Sequence, residues 1–256
     1  MNIFTKQDYE AFRTLRITHM AQAFEALLAQ ETNELVEPEN LFRQAATDAL
    51  DLRRSNKIER LIKQAGFAFA DATIEQLDYR TEREAINPIR IKRYAKNDWG
   101  RDPVNLVITG ASGSGKTYLA CALGIAACHQ EHTVKYWRTD QLALELLLVQ
   151  DDLIAQKQLL NSLSDVDLLI LDDFMAVGID PRAVAGMFHL LANRDRRLPT
   201  MILAQTGPDY WIEAIHDRVT ADSIVNRLAN NSRRINLGSV DMRREMSLKE
   251  RQGEDF

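Results

Sequence analysis

Residues 110–117 read GASGSGKT, a complete match to G-x-x-x-x-G-K-[ST]. Each residue type in that pattern has a chemical reason. Glycines let backbone N–H groups turn inward around a polyphosphate, and they tolerate φ values that side chains disfavour. Gly110, Ala111, Ser112, Gly113, Ser114 and Gly115 would form this cradle, mainly through backbone amides. Lys116 would reach the β/γ oxygens as a point charge, and the Thr117 hydroxyl would ligate Mg²⁺. The chemistry implied is the binding of a nucleoside triphosphate.

Hydrolysis needs further groups at the carboxyl ends of the strands beside the phosphates. The run LLILDD ends in Asp172 and Asp173. Asp172 is placed to hold Mg²⁺. Asp173 is one methylene shorter than Glu, and it could polarise or orient the attacking water. Gln205 ends the run ILAQ, where an amide could sense the γ-phosphate, position water or satisfy backbone groups. Phosphoryl transfer also profits from a cation, often supplied by a neighbouring subunit. Arg218, Arg227, Arg233, Arg234, Arg243 and Arg244 are candidates by charge, and spacing does not choose among them.

These groups work only if the chain places them together. The apolar run NLVIT precedes the glycine loop and a helical pattern over residues 118–127 follows it. A strand feeding a loop that opens a helix aims the helix's partial positive end at the phosphates. Further strands are expected at residues 134–137, 168–171, 200–204 and 234–237, with helices at 142–149, 183–191 and 224–230. Fully apolar strands alternating with helices indicate an α/β fold, a parallel sheet covered by helices on both faces.

The first ~95 residues lack any strand-like run and read as all-helical. Ile17, Met20, Phe24, Leu27 and Leu28 recur at helical spacing. Pro38 opens a second helix, and that helix, or a pair of helices, runs toward Ala65 and stops at Gly66. Its later part carries Arg53, Arg54, Lys57, Arg60 and Lys63 against Glu59 alone, a basic face suited to phosphate contact or simply to solvent. Phe67, Phe69, Ile74 and Leu77 should pack a loop and a short helix. A second basic cluster, Arg90, Lys92, Arg93 and Lys96, interleaves with Tyr94 and Trp99, and Trp99 reads best as a plug at the domain junction. The expected organisation is a helical domain over 1–95, a basic linker over 96–104 and an ATPase domain over 105–256.

Composition narrows the rest. A chain of 256 residues with 45% apolar content suits one large or two modest domains. No apolar run approaches the ~20 residues a membrane span needs, and the N-terminus does not read as a signal peptide. Cys121 and Cys128, seven positions apart on one helix face, read as small core residues. His19, His129, His132, His189 and His216 show no metal-ligand spacing. A reduced, cytoplasmic protein is expected, with nucleotide-bound Mg²⁺ as its metal. The net charge of −5 argues against nucleic-acid binding over the whole surface, though not against a local basic stripe.

The run NLVITGASGSGKTYLACALGIAAC resembles the P-loop region of the IstB-type transposition helper ATPases, relatives of the DnaC-type helicase loaders. DLLILDDF, ADSIVNRLANNSRRINL and DMRR share the resemblance, as do LRITHMAQAFEALL and KIERLIKQAGF near the N-terminus. The resemblance implies an AAA+ ATPase domain with a helical DNA-binding N-terminal domain and little or no C-terminal lid. It implies slow, DNA- or partner-stimulated hydrolysis of ATP with Mg²⁺. Asp172 and Asp173 become the Walker B pair, Gln205 sensor 1, Arg227 the arginine given to a neighbour's nucleotide, and Arg243 a sensor-2-like position. The implied partners are duplex DNA, further copies of the chain and a cognate transposase. Asn226 stands where an Asp is common in the family, Gln205 where Asn is common, and Ala111-Ser112 where proline is usual. The alternative is a DnaC-like replicative helicase loader, which should prefer single-stranded DNA.

Overall fold

The structure is a computed structural model, and it describes residues 3–33, 36–79, 86–215 and 217–244. Two compact units divide the chain, Met1–Arg60 and Leu61–Phe256.

The first unit begins with α1 (Lys6–Thr14) and α2 (Thr18–Leu28), and α3 (Pro38–Ala65) starts within it. Thr5 and Asp8 form a reciprocal capping box at the start of α1, satisfying backbone donors that the first turn leaves free. A small core of Leu27, Leu41 and Ala45 holds α2 to α3, with Phe24 and Phe42 edge to face at 5.8 Å. α3 ends before Gly66, which adopts φ +74°, a left-handed value that a side chain would resist.

The second unit contains α4 (Pro88–Ala95), β1 (Asn105–Thr109), α5 (Lys116–His129) and β2 (Val134–Arg138). Next come α6 (Thr139–Leu148), α7 (Leu153–Ser164), β3 (Leu168–Asp172) and α8 (Pro181–Arg194). β4 (Thr200–Ala204), α9 (Pro208–Ala214), α10 (Arg218–Ala229) and β5 (Ser232–Asn236) complete it. The five strands form one sheet in the order β2-β3-β4-β1-β5, and every pair is parallel. All carboxyl ends therefore lie along one edge.

Strand alternation sorts the core into two layers. Leu106, Ile108, Leu168, Ile170, Met201 and Leu203 face α4 and α5, whereas Val107, Leu169, Leu171, Ile202 and Ala204 face the α6–α10 side. This is the helix-covered parallel sheet expected from the apolar strands. Leu61, Ala65, Leu77, Ile86, Ile91, Tyr94 and Trp99 belong to the α5-side core. The expected boundary at residue 95 thus falls inside the second unit, because these side chains need the sheet for burial. Trp99, 1% exposed, is part of that core.

Residues 67–79 form turns instead of the expected short helix. Side chains supply the bonds a helix would have made: Tyr79 Oη donates to Ile74 O at 2.8 Å, and Thr73 Oγ1 accepts from Gln76 N–H at 3.3 Å. Cys121 and Cys128 are buried, free thiols of α5. Burial pushes them up to about 11 and about 12 respectively.

Gly124 lets α5 approach Phe67 and Ile170 closely. A Cβ there would lie 2.5 Å from Phe67 Cε1 and 3.0 Å from Ile170 Cδ1. Gly124→Ala should therefore lower the melting temperature. The overpacking cost of about 1–3 kcal/mol outweighs the gain in helix propensity of about 1 kcal/mol. A thermal melt that shifted upward would contradict this packing.

Candidate functional site

β1 ends at Thr109 and α5 begins at Lys116, so the glycine loop spans the carboxyl edge of the sheet. Gly113 and Gly115 take φ +79° and +84°, left-handed values that glycine adopts without steric cost. A Cβ on Gly110 would meet Ser114 Oγ at 2.7 Å. The cradle is therefore closed to side chains at the positions where backbone must approach a ligand. Lys116 Nζ donates to Gly110 O at 2.9 Å and to Ala111 O at 2.8 Å, folding the lysine over its own loop. Burial lowers the Lys116 pKa, Asp172 and Asp173 oppose that shift, and Arg243 adds to it.

Two strands away, Asp172 closes β3 and is 3% exposed. Thr117 Oγ1 and Tyr136 Oη both donate to Asp172 Oδ2, at 2.8 and 2.7 Å, and Asp173 N–H donates to Oδ1 at 2.7 Å. Thr139 Oγ1 holds the Asp172 carbonyl at 2.8 Å. Asp173 adopts φ +50°, a left-handed conformation that aspartate tolerates better than most residues. Its carboxylate faces Arg138 at 3.7 Å, and Arg138 also pairs with Asp140 at 3.1 Å. Burial and the bond to Asp172 both drive the Tyr136 pKa upward, so its hydroxyl stays protonated at neutral pH.

β4 lies between these two strands, which sets Gln205 at the mouth of the loop. Gln205 lines a cavity of about 560 Å³ with Thr109, Gly110, Ala111 and Gly238. The chain after β5 crosses the same loop: Ala111 N–H donates to Gly238 O and Met242 N–H to Gly113 O, each at 2.9 Å. The Asp241 carboxylate packs on Gly113, where a Cβ would come within 2.2 Å of it. Arg243 follows, exposed, in a helical segment that begins at Met242.

The structure thus gathers residues 110–117, Asp172, Asp173, Gln205 and Arg243 at one edge of the sheet. Arg227 lies elsewhere. Its carbonyl accepts from Asn105 Nδ2 at 3.0 Å, at the amino end of β1, and its guanidinium stacks on Phe188 at 4.9 Å and bonds Ser223. Arg53, Arg54, Lys57 and Arg60 are exposed on α3 in the first unit, and Lys63 is exposed near the end of that helix. Reading the sequence missed Tyr136, Arg138 and Asp241. Tyr136 and Arg138 share one face of β2 at i, i+2 spacing, but nothing in the sequence shows that β2 pairs beside β3.

The donor set suits a nucleotide and its metal: a glycine-lined cradle, a lysine over it, and a hydroxyl and a carboxylate side by side. Among the described residues no group of three or more His, Cys, Asp and Glu could hold a metal, and His216 lies outside them. No helix of the described residues is long and apolar enough to cross a membrane.

This fold and this phosphate loop define a P-loop ATP-binding protein with the AAA+ architecture. The chain belongs to the IstB-like ATP binding protein family, which it matches over residues 11–250. It is 31% identical over 240 residues to the insertion sequence ATP-binding protein y4pL of Sinorhizobium fredii, covering 94% of this chain and 97% of that protein. The AMPPCP-bound structure of DnaA from Aquifex aeolicus superposes with a TM-score of 0.56 at 21% identity, covering 72% of this chain and 55% of that one. The DnaC helicase loader superposes with a TM-score of 0.56 at 14% identity, covering 65% of this chain and 97% of that one.

Proposed function

We propose that the chain is the ATP-dependent helper of an insertion-sequence transposition system, assembling on duplex DNA and then recruiting or stimulating a separate transposase. The observation that carries this reading is the seating of Lys116, Thr117 and Asp172 at one sheet edge in a member of this family. Lys116 and the loop amides would bind the polyphosphate of ATP, and Thr117 and Asp172 would hold Mg²⁺. When bound, Mg²⁺ neutralises charge on the phosphate oxygens. Asp173 would orient water, with Arg138 beside it. Gln205 would sense the γ-phosphate from the loop mouth. Arg227, remote from its own chain's loop, is available to complete a neighbour's site in a homo-oligomer.

The helical N-terminal part, of which residues 1–60 form a compact unit, would supply the DNA contacts. Arg53, Arg54, Lys57, Arg60 and Lys63 face solvent on α3. Arg16, Thr18, His19 and Arg53 line a cavity of about 460 Å³, and no carboxylate pairs with Arg16 or Arg53 among the described residues. Guanidiniums without a carboxylate around one hollow favour a phosphate oxygen. The Arg53, Lys57 and Arg60 triple alanine variant should bind duplex DNA more weakly. Its salt slope should shrink by about 0.9 for each phosphate that is no longer neutralised. Equal affinity and slope in the variant would remove α3 from the DNA interface.

Light scattering with Mg-ATP, with and without DNA, tests the whole reading. Growth into large assemblies only with ATP and duplex DNA is expected. A preference for single strands would instead favour a helicase loader, and indifference to both ligands would refute a DNA role.

A further inference from the structure

β2 carries two residues that reach the acidic end of β3 without belonging to either nucleotide-binding motif: Arg138 faces Asp173, and Tyr136 bonds Asp172. Tyr136 packs against the buried cluster of Ala72, Cys121, Ala122 and Ile125, on which Ile62 and Phe67 also pack. Its hydroxyl donates to Asp172 Oδ2 at 2.7 Å, the same oxygen that accepts from Thr117 Oγ1 at 2.8 Å. Asp172 Oδ1 accepts from Asp173 N–H at 2.7 Å. The carboxylate is thus held from three directions, and among these donors Tyr136 alone reaches it from outside the P-loop and the acidic pair.

A carboxylate that must meet a hydrated cation gains from being oriented beforehand, because the ordering cost is then met on folding. Thr117 cannot supply that orientation alone, since its hydroxyl must also turn toward the metal. A phenol anchored in an apolar cluster can, for among the described residues its hydroxyl donates to Asp172 and to no other acceptor. We propose that Tyr136 is a positioning residue for metal-nucleotide binding, fixing Asp172 beside Thr117 before Mg²⁺ arrives. This rests on the reading that Thr117 and Asp172 hold the metal.

The test is a Mg²⁺ titration of the full chain with a fluorescent ATP analogue, repeated with Tyr136→Phe and Tyr118→Phe. Tyr118 donates to Gln76 Oε1 at 2.7 Å instead, so its variant controls for loss of a nearby phenol. With Tyr136→Phe the Mg²⁺ concentration at half-saturation should rise about ten- to a hundredfold, as expected for one lost bond to a charged group. Binding of the analogue in chelator should stay within about twofold of the parent chain, and Tyr118→Phe should match the parent throughout. An unchanged titration for Tyr136→Phe overturns the assignment. Equal weakening with and without Mg²⁺ also overturns it, by showing a purely structural role. If the parent chain itself binds the analogue with no response to Mg²⁺, the underlying metal reading falls and this inference falls with it.

Discussion

On the proposed function, Lys116→Ala will leave a folded protein whose ATP hydrolysis and ATP-dependent assembly are largely lost. Lys116 is 7% exposed, and its ammonium bonds two carbonyls of its own loop, Gly110 O and Ala111 O. Both residues border the open cavity at the loop mouth, so water can replace the lysine at each carbonyl. Truncation also relieves the desolvation that depresses the Lys116 pKa. The stability change should accordingly stay within about 1 kcal/mol. Function has no such substitute. Among the described residues no other cation bonds the carbonyls of the cradle, and removing one preorganised charge from a phosphoryl-transfer site costs about 10²–10³ in kcat. A steady-state ATPase assay beside a thermal melt separates the two effects. A rate within tenfold of the parent chain would show that Lys116 is not the group that meets the phosphates.

The opposite edge of the sheet should give the largest loss of stability. Arg194, at the end of α8, is 1% exposed. Its guanidinium donates to Leu163 O, Ser164 O and Val166 O at 2.8, 3.1 and 2.8 Å, to Pro199 O at 2.6 Å and to Thr200 Oγ1 at 3.2 Å. One side chain thereby satisfies the end of α7 and the approaches to β3 and β4. Burial brings its pKa down to about 9, which still leaves it protonated at neutral pH. Arg194→Met keeps much of the volume and strands the carbonyls. Each orphaned buried acceptor costs about 1–3 kcal/mol, so a loss of at least about 3–5 kcal/mol is expected. At this chain length that corresponds to roughly 10 °C in melting temperature. Calorimetry showing a drop of only a few degrees would mean that water reaches those carbonyls. Nucleotide affinity, measured well below the transition, should be unchanged, because the phosphate loop lies at the other end of the strands.

These two residues also show what sequence could and could not disclose. Lys116 was legible because its motif is contiguous and flanked by a strand and a helix. Strands β1, β3 and β4 were legible because both faces are buried, which makes NLVIT, LLIL and TMILA predominantly apolar. α3 was bounded correctly by Pro38 and Gly66, residues whose backbone limits are local. Arg194 sits in the run NRDRR, where composition suggests a solvated surface and only the tertiary fold selects which arginine turns inward. α1 buries none of its side chains, α7 buries only Leu163 and Ser164, and α9 has seven residues, so no long apolar stripe marked them, although the Thr5 and Asp152 caps were readable signals. Tyr136 and Asp241 act through partners far along the chain, and no spacing rule reaches that distance.

The interior of α5 has a practical corollary for spectroscopy. With their thiols raised to about 11 and about 12 and no exposure, Cys121 and Cys128 present a negligible fraction of thiolate at neutral pH. Maleimide dyes should pass over them. The native chain is in effect cysteine-free toward labelling reagents, so a single Ser55→Cys change on the exposed face of α3 would carry the only fluorophore. Docking of that helix on a duplex could then be followed by emission in real time, with no background mutations to strip out first.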